Sequence, residues 1–163
     1  ARTWFFQFDA QMVDTHHTLI EDIEAQAGPI EVGVLVFGEM GAQTGADNIE
    51  NLKQIINVNY LGAASISEAL AARMIDRESG SIVGISSVAG DRGRQKNYHY
   101  GSAKGAFTLF LQGLRNRLYA HGVHACNDRT FGLCRHTSHV RTRVSPTQRR
   151  TTLRCSFYFK SAV

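Results

Sequence analysis

Short apolar runs and amphipathic stretches alternate three times along this chain, and that alternation limits the folds open to it. Trp4-Phe5-Phe6-Gln7-Phe8 reads as a short buried strand ending at Asp9. Asp14 is placed to cap a helix from about Thr15 to Ala27, with Leu19, Ile20 and Ile23 on one face and Gly28-Pro29 as its stop. A second apolar run, Val32 to Phe37, is closed by Gly38, and Gly41 to Ala46 reads as a loop. A long helix is expected from about Asp47 to Arg77, with Leu52, Ile55, Ile56, Ala63, Leu70 and Met74 among its apolar positions. Gly80 separates it from a strand over Ser81–Ser86, and Val88 to Asn97 is a polar loop. The last helix starts near Tyr98, carries Ala103, Phe107, Phe110, Leu111, Leu114 and Leu118 at helical spacing, and ends at Gly122. Repeated strand and helix of this kind builds a parallel α/β sheet. Such sheets bind ligands outside the carboxyl ends of their strands. Asp9, Gly38 and Ser87 fall at or just after those ends.

The chemistry-bearing residues cluster near one of these ends. Tyr100 and Lys104 lie four residues apart on the last predicted helix, and Ser87 stands thirteen residues before Tyr100. Side chains at i and i+4 share a helix face, with Cβ atoms about 5–6 Å apart. An ammonium about 4 Å from a phenol is worth up to about 4 kcal/mol at an effective dielectric near 20. That corresponds to at most about three pK units. A phenol so placed moves toward neutral pH, where a general acid/base works best. Asn59, a small polar residue inside an otherwise apolar-periodic helix, also calls for a reason. Each residue has a plainer reading: a surface Tyr–Lys pair, a solvent-facing Asn59, a turn or cap aspartate at Asp9.

Taken in order on the right elements, Asn59, Ser87 and Tyr100-Gly101-Ser102-Ala103-Lys104 resemble the short-chain dehydrogenase/reductase family, over about Phe5 to Val123. The resemblance implies a partial Rossmann-like, doubly wound parallel sheet lacking the first βαβ unit. It implies that Tyr100 exchanges a proton with the substrate oxygen and that Ser87 hydrogen-bonds the reacting carbonyl. Lys104 lowers the phenol pKa and holds the nicotinamide ribose, and the main chain at Asn59 belongs to a proton relay. Asp9 resembles the aspartate that accepts from the adenine amino group. Gly38 takes the place of the last glycine of an Asn-Asn-Ala-Gly motif, here preceded by Leu35-Val36-Phe37, so both asparagines are absent. The implied cofactor is NAD or NADP, and the implied substrate is a ketone or secondary alcohol. Phe37-Gly38, Met40-Gly41, Ala89-Gly90-Asp91-Arg92 and Tyr100-Gly101-Ser102 look most like the reductase half of the decaprenylphosphoryl-ribose epimerase system, implying a sugar ketone. Family members pair their two long helices across a two-fold axis, implying a homodimer or tetramer. No Gly-x-x-x-Gly-x-Gly lies upstream of Asp9, so the phosphate-binding turn of the family is missing and this chain by itself is expected to be nearly inactive.

Composition divides the chain. Its 163 residues suit one domain, with 43% hydrophobic and 20% charged residues. From His124 onward stand eight of the eighteen Lys/Arg and one of the fourteen acids, leaving ten basic and thirteen acidic residues in 1–123, a net of −3. We therefore expect a partial dinucleotide-binding domain over 1–123 and a basic, irregular tail over 124–163. No apolar run reaches the roughly 18 residues of a membrane span. No leader is visible at Ala1-Arg2-Thr3-Trp4, and the cysteine-poor body reads as cytoplasmic. The absent initial Met suggests a fragment or a processed chain.

Cys126, Cys134, His136 and His139 match no common zinc spacing, so no metal is expected. A nucleic-acid-binding arm is the alternative reading of the tail arginines, but no fold signal supports it. A shifted reading frame fits better. Codons allowed for Asn127 to His139, read one nucleotide later, yield Thr-Ile-Glu-Pro-Ser-Gly-Phe-Val-Asp-Thr-Pro-His-Met. The family continues after its last helix with an apolar strand, Pro-Gly, an apolar pair and Asp-Thr-Pro-Met.

Overall fold

A computed structural model of the chain describes residues 3–41 and 49–129. A 3-10 turn, Val13–Thr15, leads into α1 (His16–Ala27), followed by β1 (Val32–Leu35). Helix α2 (Ile49–Ile56) runs through a π-helical segment, Asn57–Gly62, into α3 (Ala63–Asp76). Strand β2 (Gly80–Ile85), a 3-10 turn at Val88–Gly90, α4 (Tyr98–Tyr119) and β3 (Val123–Asp128) complete the order. The three strands form one parallel sheet in the order β1-β2-β3, with Leu35 opposite Gly84 and Gly84 opposite Asn127.

Alternation along the strands sends Gly33, Leu35, Ile82 and Gly84 to one face, and all four are buried. Leu70 of α3 lies over Gly33, and Phe107 and Leu111 of α4 lie over Gly84, so both helices cover this face. Across the sheet, Val34, Val83 and Ile85 are only half-buried. Among the described residues the sheet thus carries one helical layer, the second layer of a doubly wound sheet being absent from them. Ile20, Ile23, Ile66, Leu70, Met74, Ile82, Phe107, Leu111 and Leu118 form the densest part of the core, none more than 1% exposed. Burying each is worth about 1.5–3 kcal/mol. Glu24 ties α1 to α3 by accepting from Arg73 Nε at 2.9 Å and Arg77 Nη1 at 2.6 Å, and it receives the Ile30 amide at 3.1 Å. Burial pushes its carboxyl up, but these bonds outweigh burial and hold it below the usual carboxylate range.

Three expectations are corrected. Residues 4–8 form no strand: among the described residues β1 pairs only with β2, and a lone run has no ladder to satisfy its backbone. Phe8 is held instead by rings, 5.2 Å from Phe37 and 5.0 Å from His16, while Phe5 is 85% exposed. Asp14 caps nothing, because it sits inside the 3-10 turn and Thr15 takes the cap position. The Thr15 hydroxyl donates backward to the Met12 carbonyl at 2.7 Å, so the turn closes on itself before the helix begins. The boundary expected at Val123 falls within β3, all six of whose residues pair with β2. Val123 and Ala125 are buried and His124 is exposed, a period of two hidden in a polar-looking run. The loop expected at Gly41–Ala46 lies, after Gly41, outside the described residues, as does the tail beyond Arg129. Among the described residues no helix is long and apolar enough to cross a membrane.

Candidate active site

The carboxyl ends of β1 and β2 open onto a cavity of about 320 Å³. Its lining includes Phe37 and Gly38 after β1, Ser86 and Ser87 after β2, Tyr100 and Lys104 from α4, and Arg129 after β3. Four of the six residues singled out from the sequence, Gly38, Ser87, Tyr100 and Lys104, therefore meet at one place.

Lys104 is the centre of it. Only 4% of the residue is exposed, and Nζ donates to the Phe37 and Ile85 carbonyls, each at 3.1 Å. Those oxygens belong to the ends of β1 and β2, so the amine bridges the two strands from the helix above. The Phe107 ring lies 6.0 Å from Nζ. Desolvation by burial lowers the Lys104 pKa to about 8. Near neutral pH the amine is thus a charge held in a dry place, and it gives up its proton more readily than an exposed lysine.

Ser87 and Tyr100 are brought together by backbone contact. Ser87 caps the Val88–Gly90 turn, its Oγ accepting from the Ala89 amide at 3.2 Å. That turn packs directly on α4: a Cβ on Gly101 would stand 2.5 Å from the Ala89 carbonyl oxygen, and one on Gly105 would stand 2.9 Å from that of Gly90. Glycines at both positions let the serine turn seat on the helix beside Tyr100 and Lys104. Tyr100 is half-buried, so its phenol has access to the cavity.

Asn59 stands behind Gly38. It is fully buried inside the π-helical segment, a form of helix often found at functional sites. Its Oδ1 accepts from the Glu39 amide at 3.0 Å, and its Nδ2 donates to the Glu39 carbonyl at 2.7 Å and the Ile55 carbonyl at 2.9 Å. The side chain thus clamps both polar groups of Glu39 and fixes the turn after β1. A Cβ on Gly38 would lie 2.5 Å from Asn59 Oδ1 and 3.1 Å from Lys104 Nζ, so only glycine fits between them.

Asp9 is not among the residues lining the cavity. It is exposed, and its Oδ1 accepts from the Gln11 amide at 2.9 Å in an Asx turn. Arg129, which composition groups with the basic tail, also lines the cavity. It pairs with Asp91 at 2.7 Å at the cavity's edge. Reading Val123–Asp128 as a strand would have placed Arg129 at a strand end. The carbonyls of Phe37 and Ile85 carry no sequence signal at all. Among the described residues no group of three His, Cys, Asp or Glu is arranged to hold a metal.

Known proteins resemble this chain in sequence and in fold. An uncharacterized oxidoreductase of Mycobacterium tuberculosis is 39% identical over 118 residues, which are 72% of this chain and 47% of the relative. A gluconate 5-dehydrogenase from Burkholderia cenocepacia, solved in complex with NADP and tartrate, is similar with a TM-score of 0.69 at 26% identity, over 74% of this chain and 48% of that one. NAD+-bound xylitol dehydrogenase is similar in fold, with a TM-score of 0.69 at 21% identity, over 73% of this chain and 46% of that one. The chain spans about half the length of the curated relatives it matches. The sequence profile described as short chain dehydrogenase matches residues 1–143, and so, by profile and fold alike, this chain belongs to the short-chain dehydrogenase/reductase family.

Proposed function

We propose that these residues form the proton-transfer half of an NAD- or NADP-dependent oxidoreductase acting on a ketone or secondary alcohol. The observation that carries this reading is the convergence of Tyr100, Ser87 and Lys104 on one cavity at the strand ends. The cavity's size and mixed lining suit a nicotinamide and a small carbonyl compound, with Lys104 and Tyr100 to hold the ribose and Gly38 allowing close approach. Among the described residues none supplies a glycine-rich turn for the pyrophosphate. When bound, the nicotinamide supplies or accepts the hydride.

The chain's own residues handle the proton. During reduction the Tyr100 phenol gives its proton to the substrate oxygen as negative charge develops there, and takes one back during oxidation. The Ser87 hydroxyl donates a hydrogen bond to the same oxygen. The ammonium of Lys104, held in a dry site, stabilises the phenolate left on Tyr100. The Asn59 side chain is engaged with Glu39 and Ile55, and by the family resemblance its main chain takes part in a proton relay. A sugar ketone is the substrate suggested by the resemblance in the loops around Gly38 and Gly90. The exposed Leu61, Leu109 and Tyr119 on the π-helical segment and α4 support assembly of the full-length protein through these helices.

The test is nicotinamide consumption with a panel of ketones and keto-sugars, using a full-length chain that carries these residues. NADH or NADPH oxidation dependent on a carbonyl compound supports the reading. No oxidation with any member, together with nucleic-acid binding that falls steeply with salt, would support the basic-tail alternative instead.

A further inference from the structure

Lys104 is fixed at both ends, and the sequence motif explains only one of them. Its amine is held by the two strand-end carbonyls, as described above. Its backbone carbonyl is held by two hydroxyls that the proposed chemistry does not use. Ser86 Oγ lies 2.9 Å from the Lys104 carbonyl oxygen, Thr108 Oγ1 lies 2.9 Å from the same oxygen, and the two hydroxyl oxygens are 2.6 Å apart. Ser86 is 7% exposed and Thr108 is 8% exposed, so water competes little for these bonds.

Two hydroxyls have two protons for three contacts. One hydroxyl must donate to the carbonyl, while the other donates to the first. Whichever order holds, the backbone of α4 at Lys104 is joined through hydroxyls to the residue that follows β2. Ser86 directly precedes Ser87, so the same linkage sets the serine turn against the helix turn carrying Lys104 and Tyr100. A Thr108 back-bond alone would only bend its own helix. The reach across to Ser86, eighteen residues from Lys104, makes the cluster a tie between two elements of the site.

We propose that Ser86 and Thr108 are positioning residues that lock Lys104, and with it Tyr100, into register with Ser87. This rests on the reading of the site given above but concerns residues outside the Asn-Ser-Tyr-Lys set.

The titration of Lys104 Cε, followed by carbon NMR in the 163-residue chain, tests it without substrate or cofactor. In the wild type the midpoint is expected near 8, the value set by burial. In Thr108→Val, which keeps the shape and loses the hydroxyl, the released amine gains water and its midpoint should rise by at least about one pH unit toward the ordinary lysine value. Thr108→Ser keeps the hydroxyl and should restore the wild-type midpoint. Ser86→Ala provides a second route to the same release if Thr108→Val does not fold. A folded Thr108→Val or Ser86→Ala with an unchanged Lys104 midpoint, whatever its thermal stability, would overturn the proposal. Failure of the oxidoreductase reading shows separately, as an absence of carbonyl-dependent nicotinamide consumption while the Lys104 midpoint still responds to Thr108.

Discussion

Replacing Lys104 by Met should change how the stability of this fold depends on pH, and the size of the change follows from the burial of the amine. In the unfolded chain the lysine holds its proton up to its ordinary value of 10.5, whereas in the fold it does so only up to about 8. Between those values unfolding takes up a proton, so raising the pH disfavours unfolding and stabilises the native state. The full difference corresponds to a cost of about 3 kcal/mol for keeping the amine charged and buried, present below pH 8 and relieved as pH rises toward 10.5. Over the accessible interval from about pH 7 to about pH 10 the relief amounts to about 2.5 kcal/mol. The methionine variant has no such group. It also leaves the Phe37 and Ile85 carbonyls without a donor, a cost of about 1–3 kcal/mol that does not vary with pH. The assay is urea unfolding of both proteins at a series of pH values, with wild type minus variant plotted against pH so that all other titrations cancel. The difference should climb in favour of the wild type by about 2.5 kcal/mol across the interval. A flat difference would refute the burial argument, because it would mean that the amine titrates alike in the folded and unfolded chains.

Three further outcomes follow. Gly38→Ala places a methyl 2.5 Å from Asn59 Oδ1, so it should break the Glu39 clamp and cost about 1–3 kcal/mol; an unchanged urea midpoint would contradict the close packing described. Glu24→Gln should flatten the acid limb of stability: the lowered carboxyl pKa contributes above the ordinary glutamate value of 4.5 and that contribution is lost as pH falls through the folded value, so equal acid sensitivity in both proteins would count against the Arg73–Glu24–Arg77 network. Asn127 Oδ1 is buried in β3 without a hydrogen-bond partner among the described residues, an anomaly for a selected strand. The coding sequence read one nucleotide later from Asn127 should give the Pro-Ser-Gly and Val-Asp-Thr-Pro order, and codons incompatible with that order would end the frameshift explanation.

The parts of the fold legible in the sequence are those whose signal is local. The apolar run at Val32 and the run at Ser81 became β1 and β2 because each is short, apolar and bounded by glycine. The spacing of Phe107, Leu111, Leu114 and Leu118 gave α4 directly. Residues 4–8 have the composition of a strand, but pairing decides a strand and none of the described residues pairs with them. The reverse held at Val123–Asp128, where pairing with β2 makes a strand from residues of weak propensity. At the site, the side chains carrying the chemistry were legible because their types and spacing are distinctive. Their supports were not. The Asn59–Glu39 clamp spans twenty residues, and the Lys104 amine reaches a backbone oxygen sixty-seven residues away, contacts that only the folded chain creates. The π-helical turn at Asn59 was likewise hidden, since the sequence shows only a polar residue in a helix.

The central claim is that Tyr100 is the group that transfers the proton. It is tested most directly by Tyr100→Phe in a full-length enzyme, comparing carbonyl-dependent NAD(P)H oxidation and cofactor binding with the wild type. The variant keeps the ring and loses only the hydroxyl. General acid–base catalysis contributes about 10²–10⁴-fold, so turnover should fall by at least about 10²-fold while nicotinamide binding persists. Turnover retained at the wild-type level, with the cavity otherwise intact, would contradict the account.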